Sequence, residues 1–436
     1  MSEHRFPLLR VRVFMVFWRV LWWCATPFVL FYLWRRGQGD TLYHKHLGER
    51  FGFHKSRATA HVWVHAVSIG ELRSAVPLIQ SLLDDGEHVV TTHFTPAGRH
   101  AAQKDFAAYI ATGQLSAVWV PFDYDAAFKR FFRAFQPKYG LVMEVEFWPG
   151  MIMTARKKNV PLFLCNGQYP TRSFERDRTK WLSRAHVVAG FAGVMVKSQR
   201  QADRFASLGV SRIEITGELR FEQPIPADHV AAGKKTATAL AKDRTVIGFA
   251  SVVAGEDQLF TDAMKAMAAR EDIMFVYVPR APERFDETAD ALDKAGFRCI
   301  RRSKVLDQNL DLLDVPEEVD VLIGDSLGEM YFYLSMCDRV LVGGGFTSKG
   351  SHNISEPLAL GKPVIVGPEL WTIEFPVIEA IEAGVCVQSN AQTLTDDLAK
   401  VPAASAADIA TFMAENGGAV AKTRTAIARL LAATSR

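Results

Sequence analysis

Short apolar runs alternate with helical patterns along most of this 436-residue chain. In the first half, the apolar runs cover 62–66, 88–93, 117–120, 140–143, 160–164 and 193–197. Between them, apolar residues recur at helical spacing, as in 75–83. Continuously apolar strands that are separated by helices form parallel sheets with helices packed on both faces. The chain is therefore predicted to be an α/β protein.

The same alternation starts again after a polar stretch with two prolines, "FEQPIPADHVAAGKKTATALAKD". The later strand candidates cover 245–250, 273–278, 319–324, 339–343 and 363–366. We place a domain boundary near 222–226, which predicts doubly wound domains at 41–222 and 223–403 and a C-terminal helix at 404–436. Two such domains would enclose a cleft, and ligands of open α/β sheets bind beyond the carboxyl ends of the strands.

Residues 1–40 have a different character. They carry an uncharged apolar run from Val20 to Trp34, with Arg19 before it and Arg35 and Arg36 after it. As a helix the run spans about 22 Å, less than the hydrocarbon core of a bilayer. Flanking arginines and the lack of an A-x-A site disfavour a signal peptide. We predict a membrane anchor, spanning or interfacial, with a buried core helix as the alternative.

The N-terminal end is also basic. Residues 1–57 hold ten Lys/Arg against three Asp/Glu, so this end is +7, whereas the rest of the chain is −4. A charge confined to one end predicts contact with an anionic surface there and disfavours nucleic acid as a partner. Basic residues just after the anchor place the following domains on the cytoplasmic side.

The segment 338–368, "DRVLVGGGFTSKGSHNISEPLALGKPVIVGP", holds the strongest binding motif. A strand ends at three glycines, which would let a ligand approach the backbone. A helix then starts near Asn353, with Pro357 in its first turn and Gly361 as its C-terminal cap. A helix start offers free N–H groups to a phosphate, and Glu356 could accept hydrogen bonds from a ribose. The alternative is that Asn353 and Glu356 only cap the helix.

Two other strand ends in this half are polar. Arg280 follows 273–278, and its guanidinium suits a phosphate or a carboxylate. The alternative for Arg280 is a surface ion pair. Gly328 and Glu329 follow 319–324 and start a helix, so Glu329 could bind a ligand or only stabilise the helix dipole.

Glu71 follows the strand 62–66 in "HVWVHAVSIGELRSAVP" and has two interpretations. It could form a capping box with Ser68, or it could be a general base in the cleft. A helix starting at Ser68 would hold Pro77 in its interior, where proline is unfavourable. We therefore predict a helix that starts near Ser74, with Glu71 in the preceding loop.

Glu144 and Glu146 follow another strand, in "LVMEVEFWPG". Residues two apart in an extended segment face the same way, so the two carboxylates could tune each other's pKa or hold sugar hydroxyls. The alternative is a solvated pair in a loop. Another acidic pair, Asp123 and Asp125, matches the D-x-D of metal-dependent transferases only by chance, and no metal site is predicted.

Several segments occur in the order found in 3-deoxy-D-manno-octulosonic acid (Kdo) transferases, which the chain resembles over nearly its whole length. They are "WVHAVSIGEL", "PFD", "MEVEFWPG", "GELRFE", "PRAPERF", "GDSLGEM" and "GGGFTSKGSHNISEPLALGKPVIVGP". The resemblance implies a GT-B fold, with an acceptor domain before a donor domain. It implies inverting transfer from CMP-Kdo to a lipid A precursor at the inner membrane, with no cofactor and no enzyme-bound metal.

The resemblance also implies roles for particular residues. Glu71 matches the general base, whereas Glu146 or Glu144 and Arg220 match residues that stabilise the transition state. The residues that match those holding the CMP part of the donor are Pro279, Arg280, Leu327, Gly328, Glu329, Asn353, Ile354, Ser355 and Glu356.

The sequence departs from the family pattern at several places. Glu218 and Arg220 stand where the family usually has asparagine and lysine, and Ala281 stands where it has histidine. The loop 166–173 differs too, on the acceptor side, which leaves the number of Kdo units transferred open. The alternatives are another GT-B enzyme that uses a different nucleotide sugar, such as a sugar-nucleotide epimerase, and a membrane-tethered binding protein without catalysis.

Overall fold

The computed structural model describes residues 6–55, 59–181, 183–313, 318–400 and 404–434. Parts of all four expected segments, 1–40, 41–222, 223–403 and 404–436, thus lie outside the described residues. The chain divides into two compact units. Unit 1 comprises Met1–Gln223 and Gly417–Arg436, and unit 2 comprises Pro224–Asn416.

The described part of unit 1 is built on a sheet of seven parallel strands in the order β3-β2-β1-β4-β5-β6-β7. The strands are β1 (Val62–His65), β2 (Val89–His93), β3 (Leu115–Trp119), β4 (Tyr139–Met143), β5 (Leu162–Gly167), β6 (Gly193–Val196) and β7 (Ile213–Ile215). All six predicted strands are confirmed, and the short β7 was missed. The chain reverses its winding direction between β1 and β4, where doubly wound sheets bind their ligands.

Helices flank this sheet because their apolar residues recur on one face. In α5, four phenylalanines at helical spacing are buried, and the ring of Phe131 lies 5.0 Å from that of Trp63 on β1. The helices of unit 1 are α1 (Leu9–Arg36), α2 (Ile69–Asp84), α3 (Pro96–Asp105), α4 (Ala107–Ala111), α5 (Asp125–Phe135), α6 (Pro149–Lys157), α7 (Thr171–Arg178), α8 (Gln199–Ser207) and, from the end of the chain, α18 (Ala419–Thr434).

Unit 2 repeats the architecture. Its described residues form a parallel sheet of seven strands in the order β10-β11-β9-β8-β12-β13-β14. The strands are β8 (Thr245–Val252), β9 (Ile273–Pro279), β10 (Cys299–Arg301), β11 (Val321–Ile323), β12 (Arg339–Val342), β13 (Val364–Val366) and β14 (Cys386–Gln388). The five predicted strands are confirmed, and β10 and β14 were missed. Here the winding direction reverses between β8 and β12.

The helices of unit 2 correct the sequence analysis at two places. Most of the stretch taken as a polar linker is a helix. The segment 404–436 holds two helices, which are separated at Gly418 (φ +70°) and belong to different units. The helices are α9 (Ala227–Ala241), α10 (Asp257–Ala268), α11 (Phe285–Lys294), α12 (Arg302–Val305), α13 (Met330–Met336), α14 (Ser355–Ala359), α15 (Glu374–Glu382), α16 (Leu394–Lys400) and α17 (Ala406–Asn416).

Helix α1 is the one helix in the described residues that is long and apolar enough to cross a membrane. It has 28 residues and a mean hydropathy of 1.6 in its most apolar window, and it is about 42 Å long. Its outer surface is strongly apolar, since Leu9 and Phe28 are each 75% exposed and Trp23 is 73% exposed.

The first half of α1 is nevertheless docked on unit 1. Phe14 and Met15 are buried in its core. The indole Nε1 of Trp18 donates a hydrogen bond of 2.6 Å to Asp123, which also accepts the first backbone N–H groups of α6. Arg19 adds an exposed ion pair with Asp125. Helix α1 therefore has one face committed to the protein and another that is apolar and open.

Candidate active site

Glu71 lies inside helix α2. The helix starts at Ile69, Ser68 is its N-cap, and Ser68 and Glu71 form a complete capping box. The prediction that the helix starts near Ser74 and leaves Glu71 in a loop is therefore wrong. The inference from Pro77 failed because one missing backbone hydrogen bond is outweighed by the capping box and by the buried apolar face of the helix.

The cap uses one of the two carboxylate oxygens of Glu71. Oε2 accepts hydrogen bonds from the backbone N–H groups of Val67 and Ser68. Oε1 makes no hydrogen bond to the part of the chain that the structure describes. The residue is 8% exposed, so a substrate hydroxyl could still reach it. Capping and proton transfer are thus compatible in one side chain.

Two further carboxylates act on Glu71 at the switch point between β1 and β4. Burial raises the pKa of Glu71 to about 8, and the negative charges of Glu146 and Glu144 add to that rise. The backbone N–H groups of Val67 and Ser68 oppose it. At neutral pH, Glu71 therefore holds a proton that an ordinary glutamate has lost.

Glu144 and Glu146 are not on an extended segment, and the prediction that they share a face for that reason is wrong. Glu144 has φ +55° at the end of β4 and begins a turn. Its Oε1 accepts a hydrogen bond of 3.2 Å from Ser74, whereas Glu146 accepts one of 2.5 Å from the indole of Trp148. The turn gives the two carboxylates different partners, while both remain close enough to raise the pKa of Glu71.

Arg220 joins this cluster from the short 3-10 helix Leu219–Glu222, which follows β7. Its Nη2 donates a hydrogen bond of 2.6 Å to Glu144, and its Nε donates one of 2.7 Å to Ser74. The guanidinium is partly exposed, so it is oriented but still accessible. The structure thus brings together the four residues predicted as catalytic, Glu71, Glu144, Glu146 and Arg220.

Lys197 is buried beside this cluster, and its role was not predicted from the sequence. It is 2% exposed, and its Nζ lies 2.8 Å from Glu218 and 4.0 Å from Glu144. Burial pushes the pKa of Glu218 up, but Lys197 and Arg220 outweigh burial and lower it below the ordinary value. A carboxylate is thus tolerated at 218, where the family pattern has asparagine, because Lys197 neutralises it. A lysine directly after the apolar strand β6 was the available signal.

In unit 2, Arg280 and Lys349 lie close enough to His352 for their charges to act on its pKa. Burial lowers the pKa of His352 to about 4, and the positive charges of Arg280 and Lys349 lower it further. Both cations are exposed. Together they form a positive site suited to an anion. Lys349 and His352 were missed as candidates, although they lie in the quoted segment 338–368.

Glu329 is used to hold its own loop. Arg302 donates to both of its carboxylate oxygens, at 2.7 and 2.8 Å, and Ser326 donates at 2.5 Å. The neighbouring Leu327 is 70% exposed, and Gly328 has φ +85°. The groups that this loop presents to solvent are therefore Leu327 and the Gly328 backbone, supported from behind by Glu329.

The three glycines of 343–345 have a different use from the predicted one. Oε1 of the fully buried Glu256 accepts the backbone N–H groups of Gly344 and Phe346, at 2.7 and 3.2 Å. A Cβ on Gly345 would clash with Ser351 Oγ. The glycines are required because protein groups approach them closely, and a carboxylate of the chain already occupies two of their loop's N–H groups.

The short helix after this loop agrees with its prediction. Helix α14 begins at Ser355 with Pro357 in its first turn, and Gly361 follows it with φ +67°. Asn353 accepts the backbone N–H of Ser355 at 3.0 Å, as a capping residue does. Ile354 is fully buried. Glu356 lies near Tyr331, where burial first and then this carboxylate raise the pKa of the phenol to about 12.

Comparisons with known proteins agree on one family. Residues 45–223 match the family described as 3-deoxy-D-manno-octulosonic-acid transferase (kdotransferase). The chain is 36% identical to the 3-deoxy-D-manno-octulosonic acid transferase of Bordetella pertussis, with 85% of this chain and 87% of that protein covered. It is 30% identical to the Haemophilus influenzae protein of the same name, with 81% of each chain covered.

Solved structures of similar fold have low sequence identity. The UDP-GlcNAc 2-epimerase of Neisseria meningitidis has a TM-score of 0.55 and 11% identity, with 85% of this chain and all of that chain covered. The Anabaena protein HepE has a TM-score of 0.56 and 12% identity, with 86% of this chain and all of that chain covered. These structures support the predicted GT-B fold, which the paired parallel sheets confirm. With its curated relatives, the chain belongs to the 3-deoxy-D-manno-octulosonic acid transferase family and is a glycosyltransferase.

Proposed function

We propose that this protein transfers Kdo from CMP-Kdo to a hydroxyl of a lipid A precursor in lipopolysaccharide biosynthesis. The reaction takes place at the inner membrane, with both units on the cytoplasmic side. The names of the curated relatives support the transferred sugar. The observation that carries the mechanism is the buried Glu71, whose pKa is raised to about 8 and whose Oε1 is free of hydrogen bonds to the described residues.

Glu71 is assigned as the general base. The acceptor hydroxyl gives its proton to Oε1 as its oxygen forms a bond to the anomeric carbon of Kdo. The bond from that carbon to the phosphate oxygen breaks on the opposite face, CMP leaves with the electron pair, and the configuration inverts. A carboxylate of raised pKa is a stronger base than an ordinary one, and its basicity suits a pH near 8.

Arg220 and Glu144 are assigned to stabilise charge during this step. Kdo carries a carboxylate, and CMP leaves with a negative phosphate. A partly exposed guanidinium that Glu144 and Ser74 hold in place requires little reorganisation to meet such charge. Glu146, which the indole of Trp148 orients, raises the basicity of Glu71 through its charge.

Unit 2 is assigned to the donor. Arg280 and Lys349 supply positive charge for its phosphate. The loop of Leu327, Gly328 and Glu329 contributes an exposed apolar side chain and a backbone that Arg302 supports. The remaining residues assigned to the CMP part are Pro279, Asn353, Ile354, Ser355 and Glu356, of which Ile354 is buried and acts through the shape of the loop.

Helix α1 is assigned to the membrane as an interfacial helix. Phe14 and Met15 are packed in unit 1, so the first half of α1 is not free to be surrounded by lipid. Its other face exposes Val16 and Trp23, as a helix lying in the membrane interface does. This arrangement would keep a lipid acceptor near unit 1.

The experiment combines purified protein, CMP-Kdo and tetraacylated lipid A precursor, with products measured by mass spectrometry. We expect masses that correspond to one or more added Kdo units and the release of CMP. A parallel reaction with a UDP-sugar should give no product. Transfer from the UDP-sugar in place of CMP-Kdo, or no transfer to the lipid by a protein that binds CMP-Kdo, would refute the proposal.

A further inference from the structure

A large cationic groove lies in unit 1 on the side of the sheet away from the candidate active site. Its volume is about 1690 Å³. It runs past the segments that lead into β5, β6 and β7, whereas Glu71 and Glu144 follow the carboxyl ends of β1 and β4. Because all these strands are parallel, the groove lies at the amino ends of the strands, and the candidate active site lies at their carboxyl ends. We call this cavity the basal groove.

The described lining of the basal groove carries positive charge and no carboxylate. Its charged side chains are Arg10, Arg156, Arg178 and Arg212, and His186 also lines it. Of these arginines, Arg178 alone has an ion pair within the described residues, with Glu175. Four like charges around one cavity repel one another, and an anion bound between them would offset that repulsion.

Two of these arginines are held without a counterion. The Nε of Arg10 is buried and has no hydrogen-bond partner in the described parts of the chain. Arg156 donates a hydrogen bond of 3.3 Å to the carbonyl of Gly190, and its guanidinium lies 5.0 Å from the ring centre of Phe6. Both arginines therefore face the groove with unused hydrogen-bond donors.

The position and the remaining lining indicate the kind of anion. Phe6, Leu8 and Arg10 lie at the start of α1, where Leu9 is 75% exposed on the apolar surface assigned to the membrane. The groove also has apolar walls, including Ile152 and Leu208. A ligand with a phosphate and an adjoining apolar part matches both features, and a membrane in contact with α1 would present such ligands at high concentration.

We propose that the basal groove binds the phosphate headgroup of an anionic membrane phospholipid. This lipid is not the acceptor, since the groove lies at the amino ends of the strands and Glu71 lies at their carboxyl ends. The proposal rests on the membrane contact of the proposed function and does not depend on Kdo transfer. Its effect is to add specific electrostatic affinity to the apolar contact of α1 and to fix how unit 1 lies on the membrane.

The test is sedimentation with vesicles of phosphatidylcholine, with and without phosphatidylglycerol. The R10Q/R156Q/R212Q variant removes three cations from the groove, and K104Q/K265Q/K294Q removes three exposed cations elsewhere. We expect the groove variant to lose about 10- to 100-fold in binding to phosphatidylglycerol vesicles, with the control close to wild type. Equal losses in both variants, or no loss in the groove variant, would overturn the proposal.

Two additions keep the outcome interpretable. Because Arg156 also bonds to Gly190, R10Q/R212Q is measured beside the triple variant and should show an intermediate loss. Inorganic phosphate is added as a competitor; full displacement of the wild type from vesicles by millimolar phosphate would identify a free-phosphate site and overturn the lipid assignment. Kdo transfer to detergent-dispersed acceptor should be unchanged in both groove variants. Absent transfer in the wild type, with the vesicle pattern intact, would refute the proposed function and leave the groove assignment standing.

Discussion

Ser68 and Glu71 bond to each other's backbone. The N–H of Ser68 donates to Oε2 of Glu71 at 3.3 Å, and the N–H of Glu71 donates to Oγ of Ser68 at 3.4 Å. The sequence presents this cap and a general base as competing roles. The structure removes the competition, because the cap occupies Oε2 and Oε1 stays available within the described surroundings. Capping also fixes the carboxylate beside Glu144 and Glu146.

Replacing Glu71 in two ways should separate the two roles. In E71Q, the amide oxygen can still accept the N–H groups of Val67 and Ser68, and the cost of ionising a carboxyl group of raised pKa is removed, so this variant should be at least as stable as the wild type at neutral pH. Transfer should fall by roughly 10²- to 10⁴-fold, because an amide cannot accept the proton. E71A should lose transfer and also be about 1 kcal/mol less stable than E71Q, because the cap is removed.

Steady-state transfer rates and urea unfolding measure the two effects. The proposed base is refuted if E71Q transfers Kdo as fast as the wild type. If E71A is as stable as E71Q, the capping box contributes nothing measurable.

The pH dependence of transfer should follow the raised pKa of Glu71. A base must be unprotonated to act, so kcat/KM should rise with pH and level off above about 8. E146Q removes the neighbouring charge that has the larger effect on the pKa of Glu71, while Gln can still accept a hydrogen bond from the Trp148 indole. In E146Q the pKa of Glu71 should therefore be lower, and the pH profile of kcat/KM should move to lower pH.

Profiles of kcat/KM for wild type and E146Q, measured with the same buffers, provide the check. R133Q, a surface change on α5, serves as the control and should keep the wild-type profile. An unchanged midpoint in E146Q would show that the charge of Glu146 does not act on the base.

Most of the fold could be predicted from the sequence because buried parallel strands are uniformly apolar. The strands that were missed, β7, β10 and β14, lie at the edges of their sheets, and most of their residues are half-buried or exposed, so they lack the continuous apolar run of a buried strand. The helix α9 was taken for a linker because two prolines precede it and its exposed residues are polar. Both failures come from local signals that tertiary packing overrides.

The candidate site was less predictable, because its residues come together through contacts distant in sequence. Glu144 bonds to Arg220, which is 76 positions later. Glu256 bonds to Gly344, which is 88 positions later. No spacing rule encodes such pairs. The start of α2 was misjudged for another reason: a local rule about Pro77 was given more weight than the capping box, which was visible in the same segment.

The buried ion pair between Lys197 and Glu218 should stabilise the fold beside the catalytic cluster. K197M leaves Glu218 buried without its cation, so we expect a loss of roughly 3–5 kcal/mol in the free energy of unfolding. K197M/E218Q removes both charges and keeps an amide that can bond with Asn166, so it should recover most of that loss. The measurement is urea unfolding of the wild type, both single variants and the double variant.

The coupling energy between Lys197 and Glu218 decides this prediction. If the double variant is less stable than K197M by the full effect of E218Q, the two charges do not interact. Transfer by the double variant should be near that of the wild type if Lys197 acts on Glu218 alone. A persistent loss of transfer would indicate that its 4.0 Å contact with Glu144 also matters.

The cations around His352 should set the affinity for the donor. R280M and K349M each remove one positive charge from a site where the histidine is neutral at physiological pH, since its pKa is lowered to about 4. A charge-assisted hydrogen bond to a phosphate contributes about 1.5–3 kcal/mol. We therefore expect the KM for CMP-Kdo to rise by about 10- to 100-fold in each variant, with a smaller change in kcat.

Inhibition by free CMP distinguishes the group that each cation contacts. A cation on the phosphate should weaken CMP inhibition and raise the KM for CMP-Kdo by the same factor, whereas a cation on the Kdo carboxylate should change the KM alone. K294M, an exposed lysine of unit 2 without an ion pair to the described residues, is the matched control. If R280M and K349M both keep the wild-type KM, the donor does not bind at these cations, and the assignment of unit 2 must be revised.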